Sequence, residues 1–349
     1  MILTIILFVL ILGVIVLIHE GGHFLFAKIT GVHVYEFSIG MGPLVWKWIA
    51  KDKTQYSIRA IPIGGFVSLA GEEISEEERK KTKGKNLQDK TIFQRFLVMF
   101  MGVGFNFISA FFILFLAGII GGAPSTEPIL NDVTENSPAA VAGLEKGDKI
   151  LEINDRKVKY LEDISLYLTV EDLNKEVEFV AEKQDGSIGT YLITPEKTTD
   201  EDGNTRYVVG IVLKADVEEG FVPSIIYGFK EECAILKQMY IVLGSLFTGS
   251  VELNQLSGPV GIFSIVDQMS EEGVAALLYL TALLSVNVGV INLLPFPAFD
   301  GGRILFLIIE KIKGSPVDPK IENTIHGIGF VLLILLMIYV TFNDIIRLF

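Results

Sequence analysis

The chain has 349 residues, of which 50% are hydrophobic and 20% charged, with a formal charge of −13 and a single cysteine. The apolar content excludes an ordinary soluble enzyme, and the lone thiol excludes an internal disulfide framework. The length suffices for a small helical membrane core plus one soluble domain, and the acidic balance argues against nucleic acid as a partner.

The first predicted element is a membrane-length helix from Met1 to about residue 29. It has no basic leader and no small-residue cleavage site, so it reads as retained. Its end carries His19-Glu20-Gly21-Gly22-His23. Four residues apart on a helix, the two imidazoles share one face and can hold one metal ion, with Glu20 beside the position of a bound water. That is the pattern of a zinc metallopeptidase. Ionisable groups at membrane depth are costly, which makes a chance pairing the weaker reading.

Basic residues then concentrate from Lys28 through Lys47, Lys51, Arg59 and Arg79-Lys80-Lys81 to Arg95. This marks the loop between the first two spans as cytoplasmic. Within it, residues 54–72 predict a hairpin with an apolar face: 56–61 alternate, Pro62-Ile63-Gly64-Gly65 turn, and 66–72 alternate again. Residues 72–90 read as a solvated charge run. A second span runs from Ile92 to Ile120 and contains Gly102-x-x-x-Asn106.

Hydropathy falls after Gly122, and strand-like runs at 149–153 and 176–180 predict a compact, mostly β domain outside the membrane. Residues 123–221 hold 22 acidic and 10 basic side chains. Pro138-Ala139-Ala140-Val141-Ala142-Gly143-Leu144, followed by Gly147-Asp148-Lys149-Ile150, resembles the core of bacterial PDZ domains. Such a domain binds an extended peptide at a sheet edge, or here only caps the membrane core. Residues 223–250 read as an amphipathic segment at the outer interface, with Ile225, Ile226, Phe229, Ile235, Leu236, Met239 and Leu243 on one side. Cys233 reads as a small apolar side chain, and His33 and His326 as structural or solvated histidines.

A third span, Val274 to Leu294, leads into Asn292-Leu293-Leu294-Pro295-Phe296-Pro297-Ala298-Phe299-Asp300-Gly301-Gly302, and a fourth covers residues 325–349. The prolines break the helix at membrane depth, where non-helical backbone is tolerated only beside a cavity or inside protein. At about 1.5 Å per residue, His19, His23 and Asp300 arrive at one depth near the cytoplasmic side, and Asn106 comes within reach of the same layer. The chain thus divides into 1–121, membrane core with the hairpin loop; 122–215, external domain; 216–273, interfacial segment; and 274–349, membrane core. The expected fold is an α-helical polytopic membrane protein of about four transmembrane helices, with a membrane-associated β-hairpin and an inserted mostly-β PDZ domain.

These motifs, with Leu256-Ser257-Gly258-Pro259-Val260-Gly261-Ile262 before the third span, resemble the site-2 protease family, bacterial RseP/RasP type, over nearly the whole chain. The resemblance implies an intramembrane metalloprotease with one Zn2+ on His19, His23 and Asp300, and with Glu20 as acid/base. It implies that Asn106 and Asn292 hold the substrate backbone, with Pro295 and Pro297 beside them. It also implies a hairpin, including Gly64, Gly65 and Val67, that pairs with substrate. Two structural alternatives stay open, asparagines that bridge helices and an Asp300 that caps one. One PDZ domain stands where some relatives carry two. The implied activity is regulated intramembrane proteolysis of single-span proteins, such as anti-sigma factors or remnant signal peptides, in a bacterial plasma membrane. The partners are then the lipid bilayer, transmembrane substrates and a peptide at the PDZ domain. A non-catalytic zinc-bound scaffold is the competing reading, and it has no use for Glu20; no inverted repeat supports a transporter.

Overall fold

A computed structural model describes residues 1–71, 82–199, 205–213, 216–249 and 257–347. The charge run from Glu72 to residue 81, the acidic stretch 200–204 and Leu256 of the Gly-Pro motif lie outside the described residues. The chain forms two compact units, Met1–Ile113 with Asn254–Phe349, and Leu114–Leu253.

In the first unit Ile2–Thr30 forms one helix, α1, closed by Gly31 at φ 71°. Strand β1, Val34–Ile49, and strand β2, Gln55–Leu69, follow it. The hairpin therefore differs from the expected one. The chain reverses at residues 50–54, where Ala50 N donates to Thr54 O at 2.9 Å and Asp52 Oδ1 accepts from Thr54 N at 3.1 Å. Pro62-Ile63-Gly64-Gly65 is no turn but a shift of register within β2. Residues 34–39 lie between 65–69 on one side and 55–58 on the other, while 44–49 pair with 55–59. The alternation in 54–72 was legible in the sequence, but β1, the partner of both halves, has no comparable pattern. Residues 65–69 thus form an outer strand of the sheet, and this strand lies against α1.

Helix α2, Ile92–Gly121, is the second long apolar helix. It packs on α1 through Ala27, Val98 and Met99, together with Val34, Leu69 and Ile304. The backbones meet where both helices lack side chains. A Cβ built on Gly22 would lie 2.1 Å from the Met101 carbonyl oxygen, whereas one built on Gly21 meets nothing within 4 Å.

The second unit has a four-stranded antiparallel sheet and two short helices. A two-residue strand, β3 (Ala123–Pro124), is followed by β4 (Asp132–Val133) and helix α3 (Pro138–Ala142). Ser137 caps α3 by accepting from Ala140 N, and Gly143 ends it at φ 98°. Strands β5 (Lys149–Ile153) and β6 (Arg156–Lys157), helix α4 (Leu161–Val170), and strands β7 (Val177–Glu182) and β8 (Ile188–Ile193) complete the sheet in the order β6-β5-β7-β8. Ile150, Ile153, Ile164 and Phe179 fill its core without exposed surface. This bears out the expected mostly-β insert.

Helix α5, Phe221–Thr248, is anchored to α4: Lys237 Nζ donates to Asp163 Oδ2 at 2.7 Å and stands over the Tyr167 ring. The apolar side expected for it is not a single face. Ile225, Ile226 and Phe229 are exposed while Ile235 is fully buried, since six residues from Phe229 to Ile235 turn the helix by roughly 240°.

Four helices return the chain to the first unit: α6 (Pro259–Glu272), α7 (Val274–Leu293), α8 (Asp300–Lys313) and α9 (Pro319–Ile346). Asp344 of α9 accepts from Gly258 N and Gly261 N and so satisfies the free amides at the start of α6. The fourth span begins earlier than expected, because Asp318 caps Lys320 N and Pro319 suits the first helical position. Among the described residues α1, α2, α7 and α9 are long and apolar enough to cross a membrane, and 22%, 39%, 33% and 11% of their spanning windows are buried in protein. Their remaining apolar surface calls for hydrocarbon, and the protein is a multi-pass membrane protein.

Glu232 on α5 offers a check on the packing of the second unit. Burial pushes its carboxyl from the ordinary value of 4.5 up to about 7. Folding thus favours the protonated form, and ionisation costs stability increasingly as pH rises from 4.5 to 7, then by a constant amount. Glu232→Gln should raise the unfolding temperature at pH 8 and leave it unchanged near pH 4, as read by thermal unfolding in detergent. An equal gain at both pH values would contradict the burial.

Candidate metal centre

Three donor atoms converge at the crossing of α1 and α2. His19 Nε2 and His23 Nε2 lie 3.2 Å apart, and Asp300 Oδ2 is 3.1 Å from the first and 3.2 Å from the second. Both histidines are 7% exposed, so these are not solvated surface groups. Among the described residues this is the one cluster of three or more such donors. Asp300 Oδ2 is buried and faces the two histidine nitrogens. Zinc with ligand distances of about 2.0–2.1 Å in tetrahedral geometry sets its donors roughly 3.3 Å apart, so the residues fit that ion and leave the fourth position open. Bound there, zinc supplies the Lewis acidity that activates water and polarises a peptide carbonyl.

Each donor is held from behind. His23 Nδ1 donates to the Val98 carbonyl at 2.7 Å, and His19 Nδ1 stands 3.2 Å from the side-chain amide of Asn106. Gly102 makes room for the first of these rings: a Cβ built there would be 2.3 Å from His23 Nε2. Asp300 is the first residue of α8, with Phe299 in the capping position, and its carboxylate turns toward the histidines rather than capping the helix. The loop before it is irregular. Ala298 has φ 86°, a conformation that costs energy outside glycine, and its N–H donates to His326 Nδ1 at 3.1 Å. Further along α8, Glu310 accepts twice from Arg95 of α2, at 2.8 and 2.9 Å. Sequence reasoning missed His326 and Arg95 as supports of the Asp300 loop and helix. Only their place opposite that segment identifies them.

Glu20 interacts electrostatically with both histidines and Asp300, and its Oε2 accepts from the Val67 backbone N–H at 3.0 Å. Val67 therefore meets the site through its main chain. Gly64 and Gly65 are buried in the bend of β2, the first at φ 83° and the second against the Ser38 carbonyl oxygen. Asn106 comes to the centre but is fully buried, at 0% exposure, with His19 as its side-chain neighbour. Asn292, half-buried on the last turn of α7, has no hydrogen bond to the three donors or to Glu20. Pro297 packs against Gly329 of α9, and Pro295 is exposed.

Residues 7–336 match the description of peptidase family M50. The chain belongs to peptidase family M50. It is 34% identical over 422 aligned positions to the regulator of sigma-W protease RasP of Bacillus subtilis, with 99% of each chain covered. It is likewise 34% identical over 426 positions to the probable protease eep of Enterococcus faecalis, again with 99% of each covered. A putative zinc metalloprotease of Staphylococcus aureus is 33% identical at the same coverage. A solved PDZ domain of an SdrC-like protein from Listeria monocytogenes aligns with 26% of this chain and 88% of its own at 22% identity, with a TM-score of 0.22, too low to bear on the fold. As a member of M50, the chain is a zinc metalloendopeptidase of the site-2 protease kind.

The space at Gly102 is open to experiment. Gly102→Ala should displace His23 and lower the zinc content of the purified protein. Gly104→Ala, whose nearest neighbour is the movable Met101 side chain at 3.3 Å, should keep it. Elemental analysis of both variants decides, and equal zinc in the two would show that His23 has room to move.

Proposed function

We propose that this enzyme hydrolyses peptide bonds of single-span membrane proteins within or at the edge of the bilayer. His19, His23 and Asp300 are the zinc ligands, and Glu20 carries the proton. The observation that supports this best is the triangle of donors 3.1–3.2 Å apart, two of them on the membrane-length helix α1 that also carries Glu20 and the third at the start of α8. Glu20 takes the proton of the attacking water and returns it to the leaving amine, a base first and an acid second. A non-catalytic scaffold has no need of that carboxylate.

A substrate helix hides its carbonyls in its own hydrogen bonds and must be opened before cleavage. Residues 65–69 of β2 are suited to receive the opened segment, since an outer strand offers main-chain groups for pairing. The Val67 amide, however, is engaged by Glu20, so pairing at that residue competes with the hydrogen bond that holds the base. The Bacillus subtilis relative is named as a regulator of sigma-W protease, which favours regulatory membrane proteins of the anti-sigma kind as substrates here too. The excess of Lys and Arg in the first loop supports a cytoplasmic position for the active site and an external one for the inserted domain, where a substrate peptide binds.

Glu20→Gln should abolish cleavage of a model transmembrane substrate in reconstituted vesicles with zinc still bound, because the ligands survive and the proton carrier does not. Measurable turnover by that variant would sink the assignment. Asp300→Ala should instead lose zinc as well as activity, since two histidines leave the site one protein ligand short. Zinc quantification of the purified variant checks this.

A further inference from the structure

We infer that Asn106 is a positioning residue for the metal centre, whose amide oxygen accepts the Nδ1 proton of His19 and so presents the opposite ring nitrogen to zinc. The inference rests on His19, His23 and Asp300 being the ligands. His23 shows how the centre treats an imidazole. Its Nδ1 faces the Val98 carbonyl, which can only accept, so this ring carries its proton on Nδ1 and leaves Nε2 bare toward Asp300 Oδ2. His19 directs the same nitrogen, Nε2, at Asp300 Oδ2 from 3.1 Å. To ligate through Nε2, His19 too must hold its proton on Nδ1, and that proton needs an acceptor.

Among the described residues the group placed to accept it is the Asn106 amide, 3.2 Å away. A half-turn of the amide about its last side-chain bond exchanges oxygen and nitrogen while leaving the surroundings as they are, and it puts the oxygen on the Nδ1 proton. Among the described residues the other end of the amide has no hydrogen-bond partner, and its side-chain hydrogen bond is to His19. The position is well anchored. The Asn106 backbone carbonyl accepts from the hydroxyls of Ser109 and Ser285, at 2.9 and 3.0 Å, which ties α2 to α7 at this level. With no exposed surface, Asn106 is out of reach of a substrate chain. A histidine ligand whose far nitrogen donates to an acceptor is oriented and made more basic, and loss of such a partner weakens metal binding by about 10–100-fold.

The test measures the zinc dissociation constant of the full-length protein in detergent by competition with a chromogenic chelator. Asn106→Leu, which keeps the size and removes the acceptor, should weaken zinc binding by about 10–100-fold. Asn106→Asp, which restores an acceptor, should bind at or above the wild-type affinity. Asn106→Ala carries the same expectation as leucine and serves where leucine prevents folding. Wild-type affinity in the variants without an acceptor, or an aspartate variant as weak as they are, would overturn the inference. Asp300→Ala in the same assay separates the two layers of argument: if that variant binds zinc like wild type, the ligand assignment itself has failed, whatever Asn106 does.

Discussion

The close approach of α1 and α2 is the constraint on which the rest depends. Between Gly22 and the Met101 carbonyl there is no space for a side chain, and at Gly102 the space a Cβ would take is already held by the His23 ring. Small residues at a helix crossing inside a membrane let backbones meet, and dispersion and short polar contacts then replace the hydrophobic effect, which lipid does not supply between helices. At this crossing the gain is functional as well. Because α2 comes so close, its backbone carbonyl at Val98 reaches His23 and its Asn106 reaches His19, so one helix orients both imidazoles of the other.

The third donor comes from a different kind of element. Asp300 starts a helix after a loop that the prolines at 295 and 297 keep from being helical. That loop contains an alanine in the left-handed region, stabilised by the His326 ring. A carboxylate on the first residue of a helix sits at the favourable end of the helix dipole, and its backbone is committed by the turns that follow. The Arg95–Glu310 pair, little exposed on either side, then ties the same helix to α2. Three donors from two distant segments therefore share a frame built on α2, which itself donates none.

The Glu20 carboxylate is coupled to the sheet as well as to the three donors. The hydrogen bond from Val67 N–H to Glu20 joins the outer strand of β2 to α1. It ties the strand proposed to pair with an unwound substrate to the group proposed to move the proton. A main-chain donor is indifferent to the side chain that carries it, so the bond from Val67 to Glu20 is legible only in the fold.

What the sequence by itself determined is what local periodicity encodes. The four apolar runs marked their helices because about twenty apolar residues suffice to span a bilayer, and the spacing of His19 and His23 marked one helix face with two metal donors. The helix-breaking prolines announced the loop before Asp300, and the glycines and alternation of the inserted domain announced its turns and strands. The tertiary structure alone decided what depends on partners distant in the chain. It decided that Gly22 and not Gly21 is the crossing point, that the hairpin turns at 50–54 rather than at 62–65, and that the buried Asn106 amide stands beside His19. It also drew His326 and Arg95 to the Asp300 loop and helix. In each case the physical reason is the same: a residue's own spacing sets which way it can face, but the atom it meets belongs to an element tens or hundreds of residues away, whose position only packing can determine.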